Sequence, residues 1–282
     1  MHLAIASGKG GTGKTTVATN LAWTIASLGD KVTYYDCDVE EPNGHIFLKP
    51  QIGNTQNATM DYPVVDEKTC ISCGKCGEIC QFKAIVLIGE KPLVFPEMCH
   101  ACGGCMLVCP VDAITYKKRE IGVVETGRSD GAGFVHGRLH IGQVMSPPLI
   151  KQVKDLIHKD EVVIVDSPPG TSCPVIESIR GADYVLLVTE PTPFGFNDFR
   201  LAVEVVKALN IPYGVFINRS DIGNQDTEKF CEKNQIPVLS YLADDRCIAE
   251  AYSNGVIASE VFPEIRKLFS VLYSDLKKVT EK

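Results

Sequence analysis

The sequence predicts an α/β protein: a mostly parallel sheet with helices on both faces, carrying a small inserted α+β domain. Three observations predict it. A glycine-rich turn follows directly on a short apolar strand and opens a helix. Strand-like and helix-like stretches then alternate along much of the 282 residues, which is the signature of parallel strands joined by crossover helices. After the second strand, a duplicated run of four cysteines interrupts that alternation.

The first strand is the apolar run Leu3-Ala4-Ile5-Ala6, and the turn is Gly8-Lys9-Gly10-Gly11-Thr12-Gly13-Lys14-Thr15-Thr16. A strand that stops in such a turn and restarts as a helix is a phosphate cradle. Backbone N–H groups and the positive helix end converge there on one anion. Gly8 to Thr15 satisfies G-x-x-x-x-G-K-[ST], the P-loop pattern, in the strand–turn–helix context it requires. Val17, Ala18, Leu21, Ala22 and Ile25 then recur at helical spacing, and Gly29 ends the helix. Residues 31–35 form a β-branched and aromatic second strand that delivers Asp36-Cys37-Asp38 at its carboxyl end. Ligands of open parallel sheets bind beyond that edge, so both aspartates are expected to face the phosphates. Residues 41–69 show no sustained period and read as a connecting segment without a core element.

The cysteines come next. Cys70, Cys73, Cys76 and Cys80 are repeated 29 residues on as Cys99, Cys102, Cys105 and Cys109, and Ala84-Ile85 is echoed by Ala113-Ile114. This is the bacterial ferredoxin spacing, in which the fourth cysteine of each run ligates the other cluster. One [4Fe–4S] cluster is therefore expected on Cys70, Cys73, Cys76 and Cys109, and a second on Cys99, Cys102, Cys105 and Cys80. Zinc is the rival metal, because paired C-x-x-C motifs also bind it; two identical four-cysteine runs argue against it. Gln81 stands where the second run has Pro110. The expected division is a P-loop domain of residues 1–60 and 119–282 around a ferredoxin-like insert of residues 61–118.

Past the insert, residues 122–125 and 134–139 read as strands around a turn at residues 127–133. Leu149, Ile150, Val153, Leu156 and Ile157 mark one side of a helix after Pro147-Pro148, with Lys151 and Lys154 on the other. His136, His140 and His158 have no partner motif and read as surface residues. Residues 162–165 are an uninterrupted buried-type strand ending in Asp166, the Walker B position, which holds the Mg²⁺ shell directly or through water. The following Ser167-Pro168-Pro169-Gly170 lets the backbone approach the γ-phosphate as a switch. Three strand–helix units follow: residues 184–188 with 196–209, 213–217 with 227–234, and 238–240 with a helix around Ile248. In a last helix from Pro263, Ile265, Leu268, Phe269, Leu272 and Leu276 share one face, beside Glu264, Asp275 and Glu281.

Composition narrows the function. The chain is 45% hydrophobic and 22% charged, as soluble globular proteins are. No run approaches the roughly 18–20 apolar residues of a membrane span, and the N-terminal strand leaves no room for a signal peptide, so a cytoplasmic protein is expected. A net charge of −7 offers no electrostatic reason for nucleic-acid binding. Eight of the twelve cysteines lie between residues 70 and 109, which suits reduced thiolates better than disulfides. Cys37, Cys173, Cys231 and Cys247 read as buried small hydrophobes.

The lysine-bearing loop, Asp36-x-Asp38 and Asp166-Ser-Pro-Pro-Gly170 together resemble the deviant Walker A ATPases of the MinD/Mrp/ParA/NifH group. The cysteine repeat narrows the resemblance to members with an inserted ferredoxin domain. The resemblance implies ATP, Mg²⁺ and two [4Fe–4S] clusters as bound groups. It implies that Gly8, Gly10, Gly11, Thr12 and Gly13 wrap the phosphates. Lys14 would pair with the β- and γ-phosphates, Thr15 coordinate Mg²⁺, and Thr16 touch the α-phosphate. Asp38 would position the attacking water, with Asp166 at the magnesium shell and Gly170 in the switch. Asn218 would meet the adenine edge. Lys9 is similar to the family's signature lysine, which reaches the nucleotide of a second copy in an ATP-bound homodimer. The implied function is ATP hydrolysis coupled to electron transfer through the clusters, or to their assembly and delivery, with an unidentified redox or cluster-accepting protein as partner. The alternative is a MinD- or ParA-like positioning module with the insert as a redox-sensing or interaction element. Membrane attachment through the amphipathic last helix is disfavoured, because its apolar stripe suits packing on the sheet.

Overall fold

Nine strands make one sheet in the computed structural model of the protein, which describes residues 1–158 and 160–280. The chain runs β1 (His2–Ala6), α1 (Lys14–Ser27), β2 (Val32–Asp36), α2 (Gly44–Leu48) and β3 (Gln51–Val65). The cysteine-rich stretch contributes α3 (Lys75–Ile79), a hairpin of β4 (Ile85–Ile88) and β5 (Lys91–Val94), and α4 (Gly104–Leu107). The sheet resumes with β6 (Ile114–Ser129) and β7 (Ala132–Leu139), then α5 (Pro147–Lys154) and β8 (Val162–Asp166). The rest is α6 (Cys173–Ile179), β9 (Tyr184–Thr189), α7 (Pro193–Ala208), β10 (Tyr213–Asn218), α8 (Asp226–Lys233), β11 (Val238–Leu242), α9 (Arg246–Ser253), α10 (Ala258–Val261) and α11 (Pro263–Thr280).

The strand order is β11-β10-β9-β1-β8-β2-β7-β6-β3. Every pairing from β11 to β7 is parallel, and β6 and β3 add an antiparallel edge. The parallel strands are buried on both faces, which is why they read as continuous apolar runs. Ala4, Tyr35, Val165, Leu187 and Ile217 face α5, α6 and α7 through Leu149, Val175 and Phe199. Their alternates Leu3, Ile5, Tyr34, Ile164, Leu186 and Phe216 face α1, α10 and α11 through Leu21, Ala258 and Phe269. The stripe of α11 is used here: Ile265, Phe269, Leu272, Tyr273 and Leu276 are buried, and Tyr273 donates to Asp30 at 2.7 Å. Glu281 lies outside the described residues. Among the described residues no helix is long and apolar enough to cross a membrane.

The structure corrects the reading of residues 41–69. They contain α2 and the fifteen-residue β3, which pairs with β6 from Gln51↔Arg128 to Val65↔Ile114. No apolar period reveals β3, because Gln51 to Asn57 are exposed and the partner strand's hydrogen bonds hold it. Pro63 is tolerated because β3 is the edge strand. The turn expected at residues 127–133 shortens to Asp130-Gly131, with β6 reaching Ser129. The β3/β6 ribbon continues past residues 60 and 118 and carries residues 66–113 at its far end.

Candidate functional site

The turn between β1 and α1 closes as the glycines require. Gly11 and Gly13 have φ of 79° and 92°, and Gly13 is the residue before α1. A Cβ on Gly13 would lie 2.3 Å from Asn218 Nδ2, and that nitrogen donates to the Thr12 carbonyl at 2.8 Å. The end of β10 thus pins the loop, and Asn218 keeps its Oδ1 and its second amide hydrogen for a ligand. Gly8 is fixed by a different neighbour: a Cβ there would meet the Asp198 carbonyl.

A cleft of about 1200 Å³, including its open mouth, lies beyond the carboxyl edge of the sheet. Gly10, Gly11, Gly13, Lys14, Thr15 and Thr16 form its floor, and Asp38, Pro169, Asn218 and Arg219 its sides. Lys14 is 7% exposed. Burial pushes the Asp38 carboxyl up to about 6, against the pull of Lys14. Asp166 is 1% exposed beneath the floor; its Oδ2 accepts from Tyr34 OH at 2.8 Å, while its Oδ1 is buried without a partner. Burial raises this carboxyl too, opposed by Lys14. An orphaned carboxylate oxygen beside Thr15 fits a hydrated Mg²⁺, which would give it the missing partner.

Three expected residues behave differently. Asp36 does not reach the cleft: it is fully buried and accepts from the N–H groups of Asp38 and Gly44, so it shapes the segment bearing Asp38. The Gly170 N–H is bound to the Ser7 carbonyl at 3.0 Å and is not free for a phosphate. Lys9 folds back on its own chain, with Nζ 2.5 Å from Glu190 Oε1. Glu190, 8% exposed, also accepts from Arg219 at 3.2 Å and from Thr192 at 3.2 Å. Burial opposes ionisation of Glu190, but Lys9 and its other donors hold its carboxyl below the ordinary value.

The rest of the cleft wall comes from Leu242 at the end of β11, from Ala243, Asp244 and Asp245 in the loop that the family resemblance offers as an adenine pocket, and from Ile248, Ala249 and Tyr252 of α9, which sequence reasoning did not tie to the cleft. The available signal was Asp245, which caps α9 by accepting from Cys247 N at 2.7 Å. Glu41 and Asn43 were also missed. They alternate with Glu40, Pro42 and His45, which line a second cavity, so one segment separates the two. His136 lies in that second cavity. It is 5% exposed, against the expectation of a surface histidine, and its Nε2 bonds Glu125 Oε2 at 2.8 Å. Thr55 of β3 donates to the same carboxylate at 3.2 Å, so β7, β6 and β3 are tied together.

The repeated cysteines gather around two recesses at the end of the ribbon. One is lined by Cys70, Cys73, Cys76 and Cys109 together with Val65, Leu87, Pro92 and Ile114. The other is lined by Cys80, Cys99, Cys102 and Cys105 together with Pro63, Ile79, Phe82 and Tyr116. Among the described residues, no three Cys, His, Asp or Glu side chains converge as the ligands of a single metal ion do. The thiols are spread around each recess, all free of disulfides. Of the remaining cysteines, Cys37 and Cys231 are buried, but Cys173 and Cys247 are exposed at helix starts, contrary to expectation.

Comparison with known proteins gives a consistent picture. A family model described as "CobQ/CobB/MinD/ParA nucleotide binding domain" matches residues 3–257. An uncharacterised protein of Methanocaldococcus jannaschii is 32% identical over 260 residues, covering 90% of each chain. A Pyrococcus furiosus protein named iron–sulfur cluster carrier protein is 25% identical over 283 residues, covering 90% of this chain and 77% of its own. Among solved structures, the septum site-determining protein MinD of Pyrococcus horikoshii, complexed with Mg-ADP, has a TM-score of 0.62 at 20% identity. That match covers 98% of this chain and 96% of the other.

Proposed function

The chain belongs to the CobQ/CobB/MinD/ParA family of P-loop nucleotide-binding proteins; on that premise we propose that it is an ATPase of the MinD/ParA kind whose nucleotide state governs two [4Fe–4S] clusters held by the cysteine repeat. The observation carrying this reading is the sorting of the cysteines. The two recesses divide the eight residues into the crossed sets that ferredoxin spacing demands, each taking its fourth cysteine from the other run. When bound, such clusters supply one-electron transfer.

In the nucleotide cleft, the turn N–H groups and Lys14 hold the β- and γ-phosphates, and Thr15 and Asp166 are the residues that would hold Mg²⁺. Asp38, in the side wall with its carboxyl pushed up to about 6 by burial, orients the attacking water. Water oxygen bonds to the γ-phosphorus as the bond to the ADP oxygen breaks, and the water proton passes to Asp38 or to the phosphate. Lys9 must leave Glu190 before it can meet a second copy's nucleotide, so closure of the dimer exchanges an intrachain ion pair for an intermolecular one.

A physical route joins the two ends. The segment bearing Asp38 runs directly into α2 and β3, and β3 and β6 carry the cysteine repeat. The His136–Glu125–Thr55 bonds fasten that ribbon to β7, whose His136 pairs in register with Asp36. A second version, delivery of clusters to a client protein, is favoured by the similarity to the Pyrococcus iron–sulfur cluster carrier protein. Anaerobic protein tests the shared claim: about eight iron atoms per chain are expected for two four-iron clusters. Two zinc ions and no iron after anaerobic reconstitution would reject it.

A further inference from the structure

The two halves of the cysteine repeat match in backbone as well as in spacing. Ser72 and Ala101 have φ of 56° and 53°, Gly74 and Gly103 of 78° and 81°, and Lys83 and Asp112 of 55° and 50°. The amide four residues after each fourth cysteine points at its sulfur alike: Ala84 N reaches Cys80 Sγ at 3.3 Å, and Ala113 N reaches Cys109 Sγ at 3.2 Å. Against this equality the side chains on the recess walls differ. Leu87 lines the recess of Cys70, Cys73, Cys76 and Cys109. The residue 29 positions on is Tyr116, which lines the other recess with its hydroxyl 3.9 Å from Cys105 Sγ. Ala101 N adds a contact to Cys99 Sγ at 3.4 Å. Backbone amides serve both recesses, with Gly77 at Cys76 as Met106 is at Cys105, so the side-chain donor without a counterpart is the Tyr116 hydroxyl at Cys105.

We propose that Tyr116 makes the two cluster sites unequal, so that the site of Cys80, Cys99, Cys102 and Cys105 has the higher reduction potential and is reduced first. The inference rests on the cluster reading above and deepens it. A ligating thiolate has no proton, so the tyrosine hydroxyl must donate. A donor to a ligand sulfur stabilises the more negative, reduced state and raises the potential. Such a bond to a charged acceptor is about twice as strong as one between neutral groups. The Leu87 side chain has no hydrogen-bond donor, and its apolar wall favours the less charged, oxidised state. An electron supplied to either site by a one-electron donor comes to rest on the Tyr116 side; the first cluster is reoxidised as the second is reduced.

The test is a dithionite titration of the full-length, anaerobically reconstituted protein, followed by electron paramagnetic resonance, with Tyr116→Phe and Leu87→Tyr alongside. Two separate reduction waves are expected in the unaltered protein. Tyr116→Phe, which removes only the hydroxyl, should lower the upper wave and leave the lower one in place. Leu87→Tyr should raise the lower wave towards the upper. Coincident waves in the unaltered protein, or two intact clusters whose potentials ignore both substitutions, would overturn the inference while leaving the cluster reading standing. A chain that takes up neither iron nor sulfide would overturn the cluster reading itself.

Discussion

Burial sets the chemistry of the individual carboxylates around the cleft. Asp38 is held at about 6 against an ordinary 3.8, so its carboxylate is lost as pH falls through about 6, well above the usual range. ATP hydrolysis should therefore decline below about pH 6 in steady-state assays, and Asp38→Asn should abolish it at every pH. The stability consequence has the opposite sign. The folded chain binds the Asp38 proton more tightly than the unfolded one, so stability is lost as pH rises from 3.8 through about 6. Asp38→Asn should accordingly raise the melting temperature of nucleotide-free protein at pH 7. A lowered melting temperature would show that burial does not strain this carboxylate. At Lys9 the expectation concerns reach: Glu190→Gln weakens the intrachain pair and should strengthen ATP-dependent dimerisation in analytical ultracentrifugation. Lys14→Ala should remove nucleotide binding altogether in calorimetry. The sequence made the residue types in the P-loop and the acids after β2 and β8 legible, because each follows a strand at a fixed offset. It could not reveal that Asp36 turns inward to Gly44 N, or that Glu190 gathers Lys9, Arg219 and Thr192. Those contacts join segments up to 181 residues apart.

Elements that bury an apolar face were readable, and those held by pairing alone were not. The stripe of α11 announces itself at helical spacing, and Phe269 is fully buried with its ring stacked 6.0 Å from Phe216. Phe269→Ala should cost about 3–5 kcal/mol in denaturant unfolding. The edge strand β3 offers no such pattern. Seven exposed residues from Gln51 to Asn57 look like loop until β6 is set against them. The ribbon tolerates no side chain at Gly127, where a Cβ would come 2.4 Å from the Gln51 carbonyl. Glu125 fastens the same ribbon to His136, so Glu125→Ala leaves a buried imidazole without its partner. That change should cost about 1–3 kcal/mol. It should also loosen the ribbon, read as faster amide exchange along β3 and β6 with β1 and β8 unaffected.

At the scale of the whole molecule, a nucleotide cleft and two cysteine recesses share one chain through the segment after Asp38 and the β3/β6 ribbon. The nucleotide cleft sits where an open parallel sheet favours a ligand, beyond the carboxyl ends of β1, β2 and β8. The cysteine recesses sit at the far end of the antiparallel edge that leaves the same side of the sheet after Asp38. On the proposed reading, a change in the segment around Asp38 on ATP binding would pull on α2, β3 and the repeat in turn. The most direct test is a redox titration of the anaerobic protein with and without Mg-ATP, followed by electron paramagnetic resonance. Two cluster signals are expected whose potentials move when the nucleotide binds. Signals with identical potentials in both conditions would contradict the account and leave an ATPase and a redox unit that merely share a chain.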